Sequence, residues 1–214
     1  VLSLVAAAAT LSACAPLAVG GAALTGAMVV GDRRSSGAQL DDQGIELRAA
    51  NRLREQMGSR ARISVTSFNR RALLTGEVAN TRDKELAETI VKQVDNVAIV
   101  HNELDVANSP TFTEKAEDSL LTGKVKASLL DTKQVSTNSF KVVSERGTVF
   151  LMGRVTQREA DIATQVARTT KGTQRVVRVL EIITEEELAR IAPKADVPKA
   201  DAPKVDPSED IDLI

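Results

Sequence analysis

The sequence has few of the side chains from which disulfides, metal sites and most catalytic centres are built. Among 214 residues it has one cysteine, one histidine and no tryptophan or tyrosine. A single cysteine excludes a disulfide within the chain, and a structural zinc site needs several cysteine or histidine ligands. His101 has no serine or cysteine nucleophile in a recognisable context, and no phosphate-binding or dinucleotide-binding glycine loop occurs. We therefore expect neither an enzyme nor a cofactor or metal.

Aromatic side chains are scarce as well, since four phenylalanines are the only ones. The hydrophobic core must therefore be aliphatic. Proteins that bind single-stranded nucleic acids interleave aromatic and basic side chains, so nucleic acid is not an expected partner. The charge is unevenly distributed: residues 112–183 have a net charge of +4, whereas residues 184–214 have a net charge of −5.

The first 31 residues contain no charged side chain. An apolar run ends in Leu11-Ser12-Ala13-Cys14, which resembles the lipobox of bacterial lipoprotein signal peptides. The resemblance implies that residues 1–13 are a signal peptide and that Cys14 carries the lipid anchor. A membrane-spanning helix over residues 11–30, or an ordinary secretory signal, is the alternative.

Two further expectations follow from this lipobox. Ala15 stands where an aspartate would favour retention in the inner membrane. We therefore expect the outer membrane, with the protein facing the periplasm; exposure at the cell surface is the alternative. Residues 14–44 are interpreted as a flexible tether between the anchor and the first domain.

The chain repeats itself at a spacing of 76 to 77 residues. Residues 63–78 align without gaps on residues 140–155, so that Gly76 meets Gly153. A period this long indicates tandem domains. We predict a first domain at residues 45–107, a linker at residues 108–113 and a second domain at residues 114–184.

Each copy has the pattern helix, strand, strand, helix, strand. Ile45, Ala49 and Leu53 recur every fourth residue, as in an amphipathic helix, and alternating residues predict two strands joined by a tight turn. Because a helical crossover leads to the third strand, we predict an α+β fold in which each domain has a three-stranded mixed sheet and both helices on one face.

The repeat also predicts local details. The turns are expected at Asn69-Arg70 and Arg146-Gly147. Thr81 and Thr156 are the predicted N-caps of the second helix in each copy. The buried stripe of that helix in the first copy is predicted from Leu86, Ile90 and Val94, and the last strands are expected at residues 97–106 and 173–183.

Short sequence markers resemble the BON domain family. They are Leu74-Thr75-Gly76-Glu77-Val78 and the spacing Val97, Val100, Asn102, Leu104 in the first copy, and Phe150-Leu151-Met152-Gly153-Arg154-Val155 in the second. With the lipobox, the chain is similar to the dual-BON lipoproteins of Gram-negative outer membranes, which are associated with cell division and envelope stress. That resemblance implies phospholipid binding and a role in envelope integrity, without catalysis.

One helix, predicted at residues 114–131, has an unusual outer face. Leu121, Val125 and Leu129 form the stripe that faces the sheet. The opposite face, where charged residues are the rule, is uncharged and bordered by two lysines. We predict that this surface contacts anionic phospholipid through Leu120, Gly123, Lys124, Lys126, Ala127 and Leu130. Packing of Leu120 and Leu130 on the other domain is the alternative.

A second apolar surface is predicted on the sheet of the second domain. Val143, Phe150 and Met152 fall on the face away from the helices, which small sheets usually leave to solvent. We expect the first domain or the linker to cover it.

The C-terminal part is predicted to have little structure. Residues 185–192 are interpreted as a helical extension. Residues 193–214 repeat proline at every fifth position, at Pro193, Pro198 and Pro203, and are interpreted as a disordered tail.

Three functions remain open. The first is an anchored lipoprotein that binds anionic phospholipid and supports the envelope. The second is a scaffold that docks proteins of the envelope assembly or division machinery. The third is a haemolysin-like factor that perturbs membranes.

Overall fold

A computed structural model describes residues 32–107 and 112–191. The predicted signal peptide, the anchor at Cys14, most of the linker and the tail from residue 192 lie outside the described residues.

The first domain has two helices and one mixed sheet. Strand β2 is central: it pairs antiparallel with β1 and parallel with β3, and the short β4 continues the pairing along β2. The elements are α1 Ser36–Met57, β1 Ala61–Phe68, β2 Arg71–Val78, α2 Thr81–Lys92, β3 Ile99–Asn102 and β4 Asp105–Val106.

The second domain repeats this arrangement. Strand β6 is central between β5, which is antiparallel to it, and β7, which is parallel. Its elements are α3 Phe112–Thr132, β5 Phe140–Glu145, β6 Thr148–Thr156, α4 Gln157–Thr169 and β7 Arg175–Ile183, followed by α5 Glu185–Ile191. The predicted α+β fold of two tandem domains is therefore confirmed, and a helix does follow the second domain.

A buried aspartate on the first helix of each domain holds the hairpin turn. The turn residues have positive φ, 49° and 64° at Asn69 and Arg70, and 50° and 71° at Arg146 and Gly147, as the right-handed twist of a two-residue hairpin requires. Asp42 accepts the Asn69 and Arg70 amides at 2.7 and 2.8 Å. Asp118 does the same in the second copy, at 2.8 and 2.9 Å.

Each domain has its own aliphatic core between its helices and one face of its sheet. In the first, Ile45, Ala49 and Leu53 of α1 meet Leu74 of β2. In the second, Leu121, Val125 and Leu129 of α3 meet Leu151 of β6. The predicted buried stripes of the first helices are thus confirmed.

The two sheets pack against each other through their helix-free faces. Phe68 and Leu73 of the first domain form one buried cluster with Phe150, Met152 and Val179 of the second, and Val143 packs at its edge. The expectation that the first domain covers the apolar sheet face is therefore confirmed. The resulting order of layers is helices, sheet, sheet, helices.

The structure corrects three details of the first domain. Asn80 rather than Thr81 caps α2, because its Oδ1 accepts the Asp83 amide at 2.9 Å. Leu86 lies at the surface, because Ala87 rather than Leu86 shares the buried face with Ile90. The predicted last strand is broken into β3 and β4. The cap at Thr156 is confirmed, and it forms a capping box with Glu159.

The predicted tether is too long, because α1 begins at Ser36 rather than near residue 45. Ser35 caps the helix by accepting the Ala38 amide at 3.1 Å. Two glycines, Gly37 and Gly44, and a mostly polar composition weaken the helical signal in this segment. Residues 36–44 therefore belong to the first domain.

Candidate lipid-contact surface

Helix α3 presents two faces of opposite character. Its inner face, Leu121, Val125 and Leu129, is at most 4% exposed and packs on the sheet of its own domain. Because the first domain contacts the other side of that sheet, the outer face of α3 points away from it. The expected alternative, packing of the outer leucines on the first domain, is wrong.

The outer face of α3 is apolar and open. Leu120 is 63% exposed and Leu130 66% exposed, and Gly123 and Ala127 are exposed between them. A Cβ placed on Gly123 would have no neighbour within 4 Å, so no other segment described here covers this part of the helix. The surface is contiguous, because at about 100° per residue these four side chains span an arc of roughly 80°.

Two lysines border this surface. Lys124 and Lys126 lie on either side of the arc, and both are exposed. Within residues 32–107 and 112–191, neither ammonium group pairs with a carboxylate. Asp131 borders the C-terminal end of the surface. The structure therefore brings all six predicted contact residues together on one side of one helix.

A groove adjoins the first half of this surface. It has a volume of about 520 Å³, and Leu120 and Lys124 form one wall. The opposite wall comes from the Arg146-Gly147 turn and from the loop after α4, which contributes Lys171 and Gly172. Sequence reasoning missed Lys171, because only the fold brings that loop beside α3. Glu114, Glu117 and Asp118 also line the groove, so its charge is mixed.

The equivalent face of α1 in the first domain is more polar. The repeat places Leu47, Asn51 and Arg54 where α3 has Gly123, Ala127 and Leu130. Arg54 donates to the Asn51 side chain at 3.1 Å, and Arg48, the counterpart of Lys124, donates to the Asp95 carbonyl at 3.2 Å. The arginines of this face are therefore engaged locally.

His101 lies half-buried on β3, at the edge of the contact between the sheets. Burial lowers its pKa, the charge of Arg71 lowers it further, and Glu103 opposes both. Its Nε2 is buried and has no hydrogen-bond partner among the described residues, so it is neither a surface histidine nor a hydrogen-bonded one.

Both halves of the chain match the BON domain, over residues 41–108 and 117–184. The chain belongs to the BON domain family. The predicted domain boundaries at residues 45–107 and 114–184 lie within a few residues of these matches, and α3 and its lysines belong to the second BON domain.

Two relatives of this BON protein have descriptive names. "Outer membrane lipoprotein DolP" of Haemophilus influenzae is 35% identical over 175 residues, which cover 81% of this chain and 90% of the relative. The "21 kDa hemolysin" of Actinobacillus pleuropneumoniae is 32% identical over 154 residues, which cover 71% of this chain and 79% of the relative.

A solved structure shows a weaker likeness to the BON protein. The C-terminal domain of CdsD, a structural protein of the type III secretion system of Chlamydia trachomatis, is 13% identical and covers 67% of each chain, with a TM-score of 0.27. A similarity of this size has no bearing on function.

None of the helices described for the BON protein combines the length and the apolar character that crossing a bilayer requires.

Proposed function

We propose that the protein is an outer-membrane lipoprotein, anchored through Cys14, whose second BON domain binds anionic phospholipid and supports the integrity of the envelope. The observation that carries the proposal is the exposed Leu120–Leu130 face of α3, which lies between two lysines that have no carboxylate partner in the described part of the chain. The name of the Haemophilus influenzae relative supports the location at the outer membrane and the lipid anchor. A role without catalysis fits a site that consists of leucines, small residues and lysines.

The face is suited to the boundary between headgroups and acyl chains. A helix that rests there buries apolar side chains and leaves cationic groups beside the phosphates. Burial of two leucines contributes about 3 to 6 kcal/mol at most, and each lysine adds about 1 kcal/mol near an anionic surface. Binding by this face alone is therefore weak.

The covalent anchor compensates for this weakness. A tethered site meets the membrane at a high effective concentration, so a weak contact is occupied once the anchor is inserted. The groove next to Lys124 supports the same proposal, because Lys171 gives the lining of that groove a second cation.

A negative charge introduced on the face tests the proposal. In a Cys14→Ala chain, which cannot be acylated, we expect Leu120→Glu to reduce binding to vesicles of phosphatidylcholine and phosphatidylglycerol by roughly tenfold or more. The reason is that a carboxylate replaces a leucine that would enter the bilayer boundary beside anionic headgroups. Co-sedimentation measures the bound fraction. Vesicles of phosphatidylcholine alone should bind weakly in every case.

Leu47→Glu is the matched control, because Leu47 is 65% exposed on the corresponding helix of the first domain. It should leave vesicle binding unchanged. Equal binding by folded Leu120→Glu protein and its parent, or an equal loss in both variants, would contradict the proposal. Release of an encapsulated dye in the same assay would instead favour the membrane-perturbing function that the name of the hemolysin relative suggests.

A scaffold that docks envelope proteins is the second candidate. Leu40 and Leu47 are both about two-thirds exposed on α1. They lie about two helical turns apart on the same face of the helix, and they form an apolar stripe on the side of the molecule opposite to α3. A partner protein on this stripe would be lost in Leu47→Glu and kept in Leu120→Glu, so the same two variants distinguish the functions.

A further inference from the structure

The short segment in front of α1, residues 32–35, contacts both domains, and we call it the clasp. It contains two consecutive arginines, Arg33 and Arg34, and residues 1–31 contain no lysine or arginine at all. These two are therefore the only basic residues between the predicted anchor and α1.

Arg34 is bound within the first domain. Its Nη1 lies 2.7 Å from Oδ2 of Asp42, which is the buried aspartate that holds the first hairpin turn. Its Nη2 lies 2.6 Å from Oδ2 of Asp32, and its guanidinium carbon is 4.2 Å from the centre of the Phe68 ring. Phe68 belongs to the cluster between the two sheets, so Arg34 covers one edge of the domain interface.

Arg33 is bound within the second domain. Its two terminal nitrogens lie 2.7 Å from the two carboxylate oxygens of Glu159, and Nη1 also donates to the Arg154 carbonyl at 3.1 Å. The side chains of this pair are only 8% and 4% exposed. Such a two-pronged contact fixes the direction of the guanidinium as well as its position.

The cross-domain pair has no equivalent in the first domain. Asp83 is the counterpart of Glu159 in the repeat, and it faces Arg60 of its own domain at 3.6 Å, where Arg60 is 58% exposed. The second domain thus obtains its cation from the N-terminal segment, whereas the first domain supplies its own.

The residue that binds Arg33 lies near the segment that follows α3. Arg158, next to Glu159, donates to the carbonyl of Gln134 at 3.5 Å, only two residues after α3 ends at Thr132.

We propose that the clasp locks the anchor segment to both BON domains and thereby shields Arg33-Arg34, the one site between Cys14 and α1 that a trypsin-like protease could cut. A protease that cleaves after arginine must bind the side chain and an extended stretch of backbone around it. Both arginine side chains are bound inside the protein, so cleavage requires the clasp to open. Opening exposes the dibasic pair, and hydrolysis of the peptide bond after Arg33 or Arg34 separates the domains from the anchor.

The proposal concerns protease access and stands whether or not α3 binds lipid; only the release of the domains from a membrane rests on the anchor at Cys14. The experiment therefore uses trypsin on the full-length Cys14→Ala chain in solution, with mass spectrometry of the N-terminal fragments. Cleavage at Lys194, Lys199 and Lys204, in the tail, reports the activity of the protease in the same digest.

We expect cleavage after Arg33 to be slow in the parent chain relative to cleavage in the tail, and roughly tenfold or more faster in Glu159→Gln, because cleavage follows the population of the open form. Asp83→Asn is the matched control and should leave the rate unchanged. Cleavage after Arg33 that is as fast in the parent as in the tail, or equal acceleration by both variants, would overturn the proposal.

A second variant covers the case in which Glu159→Gln unfolds the second domain and exposes sites throughout it. Arg34→Gln releases the clasp from the first domain only and leaves Arg33 as the single site. Faster cleavage after Arg33, without new cleavage within residues 112–183, supports the proposal. An unchanged rate overturns it.

Discussion

Two buried carboxylates, Asp42 and Glu159, show how single residues organise this chain. Asp42 is 2% exposed. Its carboxylate accepts hydrogen bonds from the turn amides, from the Ser67 hydroxyl at 2.7 Å and from the Arg34 guanidinium. Glu159 takes part in the capping box of α4 and also forms an ion pair with the Arg33 guanidinium. Each carboxylate therefore joins a local backbone feature to a distant part of the chain.

Glu159 makes the free energy of unfolding decrease as the pH falls into the acid range. Burial alone would raise the pKa of Glu159, but hydrogen bonds from Arg33 and the Thr156 amide, together with the charges of Arg33 and Arg158, outweigh it and hold the pKa below its ordinary range. The folded state thus favours the charged form. The stabilisation is complete above the unfolded pKa, about 4.3, and is lost as the pH falls through the lower folded value.

We predict that Glu159→Gln costs about 3 kcal/mol near neutral pH, because the buried contact of Arg33 loses its counter-ion. Urea unfolding of both proteins from pH 7 to pH 3 should show that this difference shrinks below about pH 4. Burial raises the pKa of Glu145, which acts in the opposite sense, but Glu145 is present in both proteins and cancels in the comparison. A difference that stays constant with pH would contradict the assigned role of Glu159.

At the scale of the element, the sequence pattern predicted what is local and repeated. The four-residue spacing of Ile45, Ala49 and Leu53 located α1, and tight-turn residues located both hairpins, because these signals depend on neighbours within one turn or one strand pair. The exposed face of α3 was predictable for the same reason. Its openness was not, because that depends on which surface the other domain occupies.

Contacts between residues far apart in the chain could not be predicted from a local sequence pattern. The clasp joins Arg33 to a residue 126 positions away, and the groove joins α3 to the loop at Lys171. The sequence of residues 32–35 instead read as a polar tether, because a charged, serine-rich stretch has the composition of a linker. Its order comes from buried partners that only the assembled domains provide.

The turn aspartates allow a prediction at this scale. Asp118→Ala leaves two turn amides without their buried acceptor, so we expect a loss of about 1 to 3 kcal/mol. Asp42→Ala also removes the partner of Arg34, so its cost should be larger, about 3 to 5 kcal/mol. Chemical denaturation measures both. Equal costs would indicate that Arg34 adds nothing to the first turn.

A glycine of α3 allows a gain of stability to be predicted. Gly123→Ala should stabilise the second domain by about 0.5 to 1 kcal/mol, because alanine restricts the unfolded chain and the position has open space. Thermal unfolding checks this. Gly153→Ala is the opposing control, since its Cβ would lie 2.5 Å from the Ser139 carbonyl oxygen, and it should destabilise.

At the scale of the whole molecule, the order of layers separates two surfaces. Helices α1 and α2 lie on one outer side and α3 and α4 on the other, because the sheets pack between them. A membrane that touches α3 therefore leaves the Leu40–Leu47 stripe facing away from it. The second domain, which carries α3, has a net charge of +4 over residues 112–183.

Ion pairs and a hydrogen bond join the two domains beside the apolar contact between the sheets. Arg62 of β1 lies 3.2 Å from Glu145 of β5, and Lys141 lies 2.7 Å from Glu46 of α1. On the other side, Asn69 donates to Glu181 of β7 at 2.6 Å, and Arg175 meets Glu103 at 3.1 Å. An apolar centre inside a polar rim is the usual composition of a specific interface, so we expect the two domains to move and unfold as one unit.

We predict that the domains unfold together and that Phe150 couples them. Phe150 is 2% exposed at the centre of the inter-sheet cluster, so Phe150→Ala should cost about 3 to 5 kcal/mol and weaken the interface. Calorimetry should show one transition in the parent and two in Phe150→Ala, as the domains lose their mutual support. Phe140→Ala is the control, because Phe140 lies in the core of the second domain, where its loss lowers stability without opening the interface. Two separate transitions in the parent would show that the sheets touch without coupling, and the clasp would then be the main link between the domains.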